Sequence, residues 1–218
     1  MGSASRLTAE RFVAEVMSGQ RHWNKYGSYA ELASFEVHGR DYRVRTIERP
    51  DSPVLIIAPH GGMIEVGTSE IAGGVAAAEY NLFSFEGLKP DGANRDLHIT
   101  SHRFDHPECV AMASRCDIVV TVHGCQGEAR IHVGGLDTGL GAHLAARLAG
   151  AGFAVETAGH RYPGRHPFNI CNRGLRKKGA QLEITYDLRT GGSRAAIAAA
   201  VRTAIADHAA ALRIDTAG

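Results

Sequence analysis

Several things are scarce in this chain, and each scarcity excludes something. No run reaches the roughly 18 consecutive apolar residues of a membrane span, so no membrane partner is expected. There are four cysteines, Cys109, Cys116, Cys125 and Cys171, and none forms a C-x-x-C pair. That is no disulfide framework, and the thiols read as reduced and mostly packed. Net charge is only +1 and aromatic residues are 6%, so neither bulk charge nor base stacking argues for a nucleic-acid partner. The opening residues, MGSASRL, lack the apolar core of a secretory signal, which predicts a chain made and folded in the cytoplasm, with release on cell lysis leaving no mark. No internal repeat, linker or low-complexity tract breaks the 218 residues, which fit one domain over 1–218. Such a chain buries a core without disulfides or a structural metal, so any metal is expected to be catalytic.

What is present is an alternation of strand and helix patterns. Residues 12–17 place Phe12, Val13, Val16 and Met17 on one helical face, with Gly19 as a stop. Phe35 and Val37, then Tyr42, Val44 and Thr46, alternate around His38 to Asp41 and predict a β-hairpin. Val54 to Ile57 is a short continuous apolar run, as in a strand buried on both faces. Strands are also expected over 81–85, 97–100, 117–123, 153–156 and 181–185, and helices over 68–79, 107–115, 139–148 and 193–212. The order predicts an α/β protein, a three-layer α/β/α domain with a mixed sheet. The loop over 159–176 is rich in His, Pro, Arg and Gly, and loops of this length are often functional.

The chemistry begins at "IIAPHGGMIE", where a buried strand stops and places His60 and Glu65 in a glycine-softened turn. His123 ends the strongest strand, "DIVVTV", and Gly124 follows it. Two neutral imidazoles and a carboxylate make the ligand set of a hydrolytic zinc site with one position left for water. Taken singly, each favours a plainer reading: His60 as a turn residue, Glu65 as an acid at a helix N-terminus and His123 as a core histidine. Two histidines at the ends of the two strongest strands favour the metal. In "QLEIT", alternation sends Leu182 and Ile184 to one face and Glu183 to the other. A charge in an apolar strand needs a cleft or a partner, and beside a zinc-bound water Glu183 fits a general base. An outward-facing Glu on an edge strand is the plain alternative.

"HGGMIE", "VTVHG" and "AQLEITYDLR" resemble the phage and bacterial poly-γ-glutamate hydrolases, a family similar to a trimmed zinc carboxypeptidase fold. "NRDLHITSHRFDHP" and "NICNRG" resemble it too, so the likeness runs from about residue 50 to 190. The resemblance implies a zinc-carboxypeptidase-like fold, Zn²⁺ on His60, Glu65 and His123, Glu183 as the base, and an anionic γ-glutamyl polymer or peptide as substrate. The first ligand pair is His60-x-x-x-x-Glu65, where the longer zinc carboxypeptidases have His-x-x-Glu. Such a substrate needs cations, and Arg95, Arg103, Arg130, Arg161, Arg165 and Arg173 are candidates. Arg173 of "CNRG" and Arg95 of "ANRD" are preferred, and one of the arginines or Asn172 is expected to donate to the oxyanion.

Other features invite readings that the sequence discourages. His98 and His102 are spaced as ligands only if helical, and "LHIT" reads as strand, so no second metal is expected. Cys125 lies two residues after His123 but reads as an inert packed thiol. "GGLDTGLG" lacks the ending of a phosphate loop and reads as a turn opening a helix. Two alternatives to polymer cleavage stand: a zinc cell-wall amidase, which "APHGG" resembles, and a module that binds an anionic ligand without cutting it.

Overall fold

Two strands dominate the centre of the protein. β2 (Val54–Gly62) and β4 (Ile118–Cys125) lie parallel, pairing Val54 with Ile118 and Ile57 with Thr121. The computed structural model describes residues 24–90 and 92–215, so the helix expected over 12–17 falls outside the described residues. Beside β2 lies β3 (Asn81–Gly87), parallel, and beyond it β1 (Tyr42–Ile47), antiparallel. Beside β4 lies β7 (Ala180–Thr185), parallel, then β5 (Ile131–Gly135), antiparallel to β7, and β6 (Val155–Glu156). The sheet is therefore mixed, in the order β1-β3-β2-β4-β7-β5-β6.

Both faces are covered, which is why β2 and β4 open on apolar runs, Val54 to Ile57 and Ile118 to Val120. Val54, Ile56 and Ala58 of β2, Val120 and Val122 of β4 and Leu182 and Ile184 of β7 share one face. That face packs on α2 (Thr68–Ala76), α4 (Thr138–Gly150) and α6 (Arg194–Asp215) through Ile71, Leu144 and Val201, among others. On the other face Leu55, Ile57, Phe83, Phe85 and Val119 pack on α1 (Tyr29–Phe35), α3 (Pro107–Ala113) and two 3₁₀ turns, Ala93–Leu97 and Ile170–Arg173. The layers are α/β/α, as expected. Residues 194–213 of α6 are long and apolar enough to cross a membrane by length and composition, yet Ile197, Val201 and Ile205 of this helix are fully buried in the core. The turn reading of "GGLDTGLG" holds: the Asp137 carboxylate caps α4 by accepting from Leu140 N at 3.0 Å.

Two expected elements are absent. Residues 35–46 do not form a hairpin; α1 ends at Phe35, only an isolated bridge joins His38 to Tyr42, and β1 pairs with β3. Phe35 and Val37 alternate correctly but are 58% and 48% exposed, so they offer no buried face to pair on. Residues 97–100 are not a strand. Leu97 and Ile99 are buried beneath the sheet, and the Ile99 carbonyl accepts from a side chain, His60 Nε2 at 2.8 Å, rather than from a ladder. Conversely, β5 and the short helix α5 (Tyr186–Thr190) carry too little periodic pattern to be anticipated.

Candidate metal centre and its cavity

The centre is built on an irregularity in β2. Ala58 pairs with Ser84 of β3, but Gly61 pairs with Glu86, so β2 carries one extra residue across this step. Pro59 sits in that bulge, where a central strand tolerates the loss of its N–H. Strict alternation would place His60 on the same face as Ile56 and Ala58. The extra residue turns it to the opposite face, where its ring stacks on His98 with centroids 3.9 Å apart. A tight turn then returns the chain, with Glu65 N donating to His60 O at 2.9 Å. Gly62 enters that turn at φ +60°, a conformation glycine adopts without cost.

Donor atoms of three side chains converge there. His60 Nδ1 and His123 Nδ1 are 3.1 Å apart. Glu65 Oε1 is 3.2 Å from His60 Nδ1, and Oε2 is 3.8 Å from His123 Nδ1. A tetrahedral shell at about 2.0–2.2 Å has edges of about 3.3–3.6 Å, so the residues fit a zinc ion. The outer contacts fit too. His60 Nε2 faces the Ile99 carbonyl, which only accepts, so the proton is on Nε2 and Nδ1 presents a lone pair. His123 Nε2 lies 3.3 Å from Ser101 Oγ, and Gly124 N donates to Glu65 Oε2 at 2.7 Å. His98 adds a fourth donor: Nε2 is 3.9 Å from Glu65 Oε1, and Nδ1 is 2.7 Å from Asn24 Oδ1. His60, Glu65 and His98 also make a cluster of three such groups among the described residues. Burial holds the His123 imidazole well below its ordinary pKa, with His60 adding to the effect. Burial, and then the neighbouring His60, push His98 down to about 2 against the pull of Glu65. Neutral rings are the form that binds metal.

Glu183 stands beside this centre because β7 lies next to β4 in a register that pairs it with His123. Its carboxylate is buried, 8% exposed, and accepts from Gln181 Nε2 at 3.0 Å. Asn169 Nδ2 in turn donates to Gln181 Oε1 at 2.8 Å, so the long loop holds the pair. Burial, followed by the nearby Glu65, raises the Glu183 pKa well above the carboxylate range, with Arg161 and Arg189 opposing. Arg189 comes from α5 and packs over Gly124, where an added Cβ would lie 2.5 Å from its Nε. It donates through Nη1 to the Val66 carbonyl, while its buried Nε has no hydrogen-bond partner among the described residues. Burial is also the main cause that pushes the Cys125 thiol up to about 11, with Glu183 next, so this cysteine stays a protonated thiol.

A cavity of about 720 Å³ opens over these groups. His60, Glu65, His123 and Glu183 all line it, and so does Arg95. Two preferred residues do not. Asn172 is buried as a fastener: Nδ2 donates to the Gly164 and His166 carbonyls, and Oδ1 accepts from Leu136 N and Gly179 N. All its bonding capacity is used by backbone, leaving none for an oxyanion. Arg173 ends the 3₁₀ turn Ile170–Arg173 and is not a lining residue. Arg161, Arg165 and Arg189 line the cavity in its place, while Arg103 and Arg130 do not. The His98–His102 pairing does not form: His102 faces His166, ring centroids 4.9 Å apart, and His98 instead joins the first cluster. Arg189 and His98 are the residues that sequence reasoning misses. Their signals are the Arg in "DLR" just after the Glu183 strand and the His in "DLHIT".

A profile described as poly-gamma-glutamate hydrolase matches residues 26–198. The chain belongs to that family. Its fold agrees: a structure of a bacteriophage poly-gamma-glutamate hydrolase superposes with a TM-score of 0.81 at 31% identity, covering 85% of this chain and 98% of that one. A second solved structure, YNDL-apo (Zinc-free), matches at TM-score 0.74 and 35% identity over 84% and 96% of the two chains. The SPbeta prophage-derived UPF0714 protein YoqZ of Bacillus subtilis (strain 168) is 37% identical over 76% of this chain. The match spans 60% of YoqZ's own length.

Proposed function

We propose that this member of the family is a zinc-dependent hydrolase of γ-glutamyl amide bonds in poly-γ-glutamate or related peptides. The observation that carries the reading is the convergence of His60, Glu65 and His123 donor atoms, 3.1 to 3.8 Å apart, beside the buried carboxylate of Glu183. The family match and its phage structural neighbour favour a γ-glutamyl polymer over a cell-wall peptide. One solved relative is described as zinc-free, which makes zinc the metal to test first.

His60, Glu65 and His123 would hold the ion, with His98 in reach of Glu65 as a further donor. Zinc so held supplies a Lewis acid for the scissile carbonyl and makes water a nucleophile near neutral pH. Glu183, with its raised proton affinity, takes a proton from the attacking water and delivers it to the leaving nitrogen. Gln181 holds that carboxylate in place by donating from Nε2. Arg189, buried among Glu65 and Glu183, provides fixed positive charge as negative charge develops on the carbonyl oxygen. Arg95, Arg161 and Arg165 along the cavity present guanidinium groups to substrate carboxylates.

The test is the size distribution of purified poly-γ-glutamate after incubation with the protein, with added zinc and with a chelator in parallel. Shortening that the chelator abolishes is expected. No shortening by protein shown to contain zinc would remove the substrate from the proposal and leave the metal centre.

A further inference from the structure

One buried carboxylate takes no part in the chemistry above. Glu86 of β3 is 2% exposed and lies on the face of the sheet opposite His60, behind the β2 bulge. An ion this deep costs free energy unless it is fully paired. Arg43 Nε reaches its Oε2 at 2.7 Å and Arg45 Nη1 its Oε1 at 3.3 Å. Ser84 Oγ donates to Oε1 at 3.0 Å. Since Ser84 has spent its one proton on Glu86, the 3.1 Å contact between Ser69 Oγ and Ser84 Oγ has Ser69 as donor. Ser69 Oγ in turn accepts from Gly62 N at 2.9 Å. The result is a one-way relay from Gly62 N–H through Ser69 and Ser84 to the Glu86 carboxylate. Gly61 has no room for a side chain, because a Cβ there would lie 2.2 Å from Ser69 Oγ and 2.8 Å from Ser84 Oγ.

We infer that Ser69, Ser84 and Glu86 are positioning residues that fix the bulge from behind, and so set where His60 and Glu65 present their metal-binding atoms. The inference rests on the metal-centre reading. The relay grips the segment Gly61–Gly62 that joins the two ligands, on the side of the sheet away from the cavity. Bulges end ladder pairing locally, and an unpaired buried N–H is costly. Ser69 supplies the partner that the strand does not. Thr68, the neighbouring residue on α2, adds a hold on the same turn by donating to the Glu65 carbonyl at 2.8 Å.

The experiment measures zinc affinity by competition with a chromogenic chelator, on wild type, Ser69→Ala, Glu86→Gln and Leu148→Ala. Leu148 is a fully buried residue of α4 and serves as a control for general destabilisation. Outer partners of metal ligands are typically worth about 10- to 100-fold in affinity, and Ser69→Ala is expected to weaken zinc by that factor while the metal-free protein stays folded by circular dichroism. Glu86→Gln keeps the shape and loses the charge; it should weaken zinc in the same direction, and it decides the matter if Ser69→Ala does not fold. Leu148→Ala should lower the thermal midpoint and leave zinc affinity close to wild type. Wild-type zinc affinity in both relay variants, or equal weakening by Leu148→Ala, overturns the inference while leaving the metal centre intact. Absence of zinc binding by wild type removes the metal centre and the inference together.

Discussion

Replacing Glu183 by Gln separates its proposed part in proton transfer from any effect on zinc binding and on stability. The amide keeps the volume, and its oxygen still accepts from Gln181 Nε2, which donates at 3.0 Å to Glu183 in the wild type. General acid–base groups contribute about 10²- to 10⁴-fold, so the variant should lose about 2.7–5.4 kcal/mol of transition-state stabilisation at 1.36 kcal/mol per decade. Glu183 is not among the three converging donors, so zinc should be retained. The stability effect has the opposite sign to the activity effect. Burial and the neighbouring Glu65 raise the folded-state pKa of Glu183. Its contribution to stability is therefore fully present below the ordinary carboxylate pKa of 4.5 and is lost as pH rises through the raised one. The neutral isostere has no such loss. Metal-free Glu183→Gln is expected to be more stable than wild type in urea at pH 8, with the difference shrinking as pH falls toward 4.5. The assays are the rate of polymer shortening, zinc content after gel filtration, and urea midpoints at pH 8 and pH 5. Near-wild-type cleavage would refute the assignment of the base. Loss of zinc, with cleavage lost, would show that Glu183 serves the metal centre rather than the water.

Gln181→Met removes the donor to Glu183; turnover should fall by about tenfold, the scale of a hydrogen bond to a charged group, and the acid limb of the pH–rate profile should move to higher pH. Gly124→Ala puts a Cβ 2.5 Å from Arg189 Nε, and because Nη1 is tied to the Val66 carbonyl the guanidinium cannot step aside freely. A cost of about 1–3 kcal/mol in urea unfolding is expected, and an unchanged midpoint would show that Arg189 is not pinned. His98 and His123 are held neutral in the folded state, so the unfolded chain binds more protons below the ordinary imidazole pKa of 6.5. Their contribution to metal-free stability is present above that pH and lost as pH falls through it. Glu183 acts in the opposite direction, so the drop in urea midpoint from pH 7 to pH 5 should be steeper in Glu183→Gln than in wild type.

Much of the site is legible in the order of the amino acids. His60 and His123 are recognisable because each closes a strongly apolar stretch, broken before His123 only by Thr121, and such stretches mark strands buried on both faces. Glu183 is recognisable because Leu182 and Ile184 flank it, and the period of two leaves it on the opposite face. Asn172 misleads for a physical reason: a buried Asn in a polar loop looks the same in sequence whether it binds substrate or ties backbone groups. Arg173 misleads through its neighbours in the same motif, since Asn169 is the residue of "NICNRG" that reaches Gln181.

The amino-acid order by itself determined the α/β class, the two strongest strands and the residue types at their ends, because periodicity and apolar runs are local properties of the chain. Only the tertiary structure decided which of those ends meet. The strand order β2-β4-β7 sets His60, His123 and Glu183 side by side, and that order is a matter of long-range pairing. The bulge after Ala58 reverses the face that alternation would give His60, and its support comes from other elements, Ser69 on α2 and Ser84 and Glu86 on β3. His98 and Arg189 enter the cavity in the same manner: one is carried in by an irregular connection, the other by the short helix after β7. Neither segment has a period from which its direction could be read, so their places follow from packing against β2 and β4 and from nothing nearer in the chain.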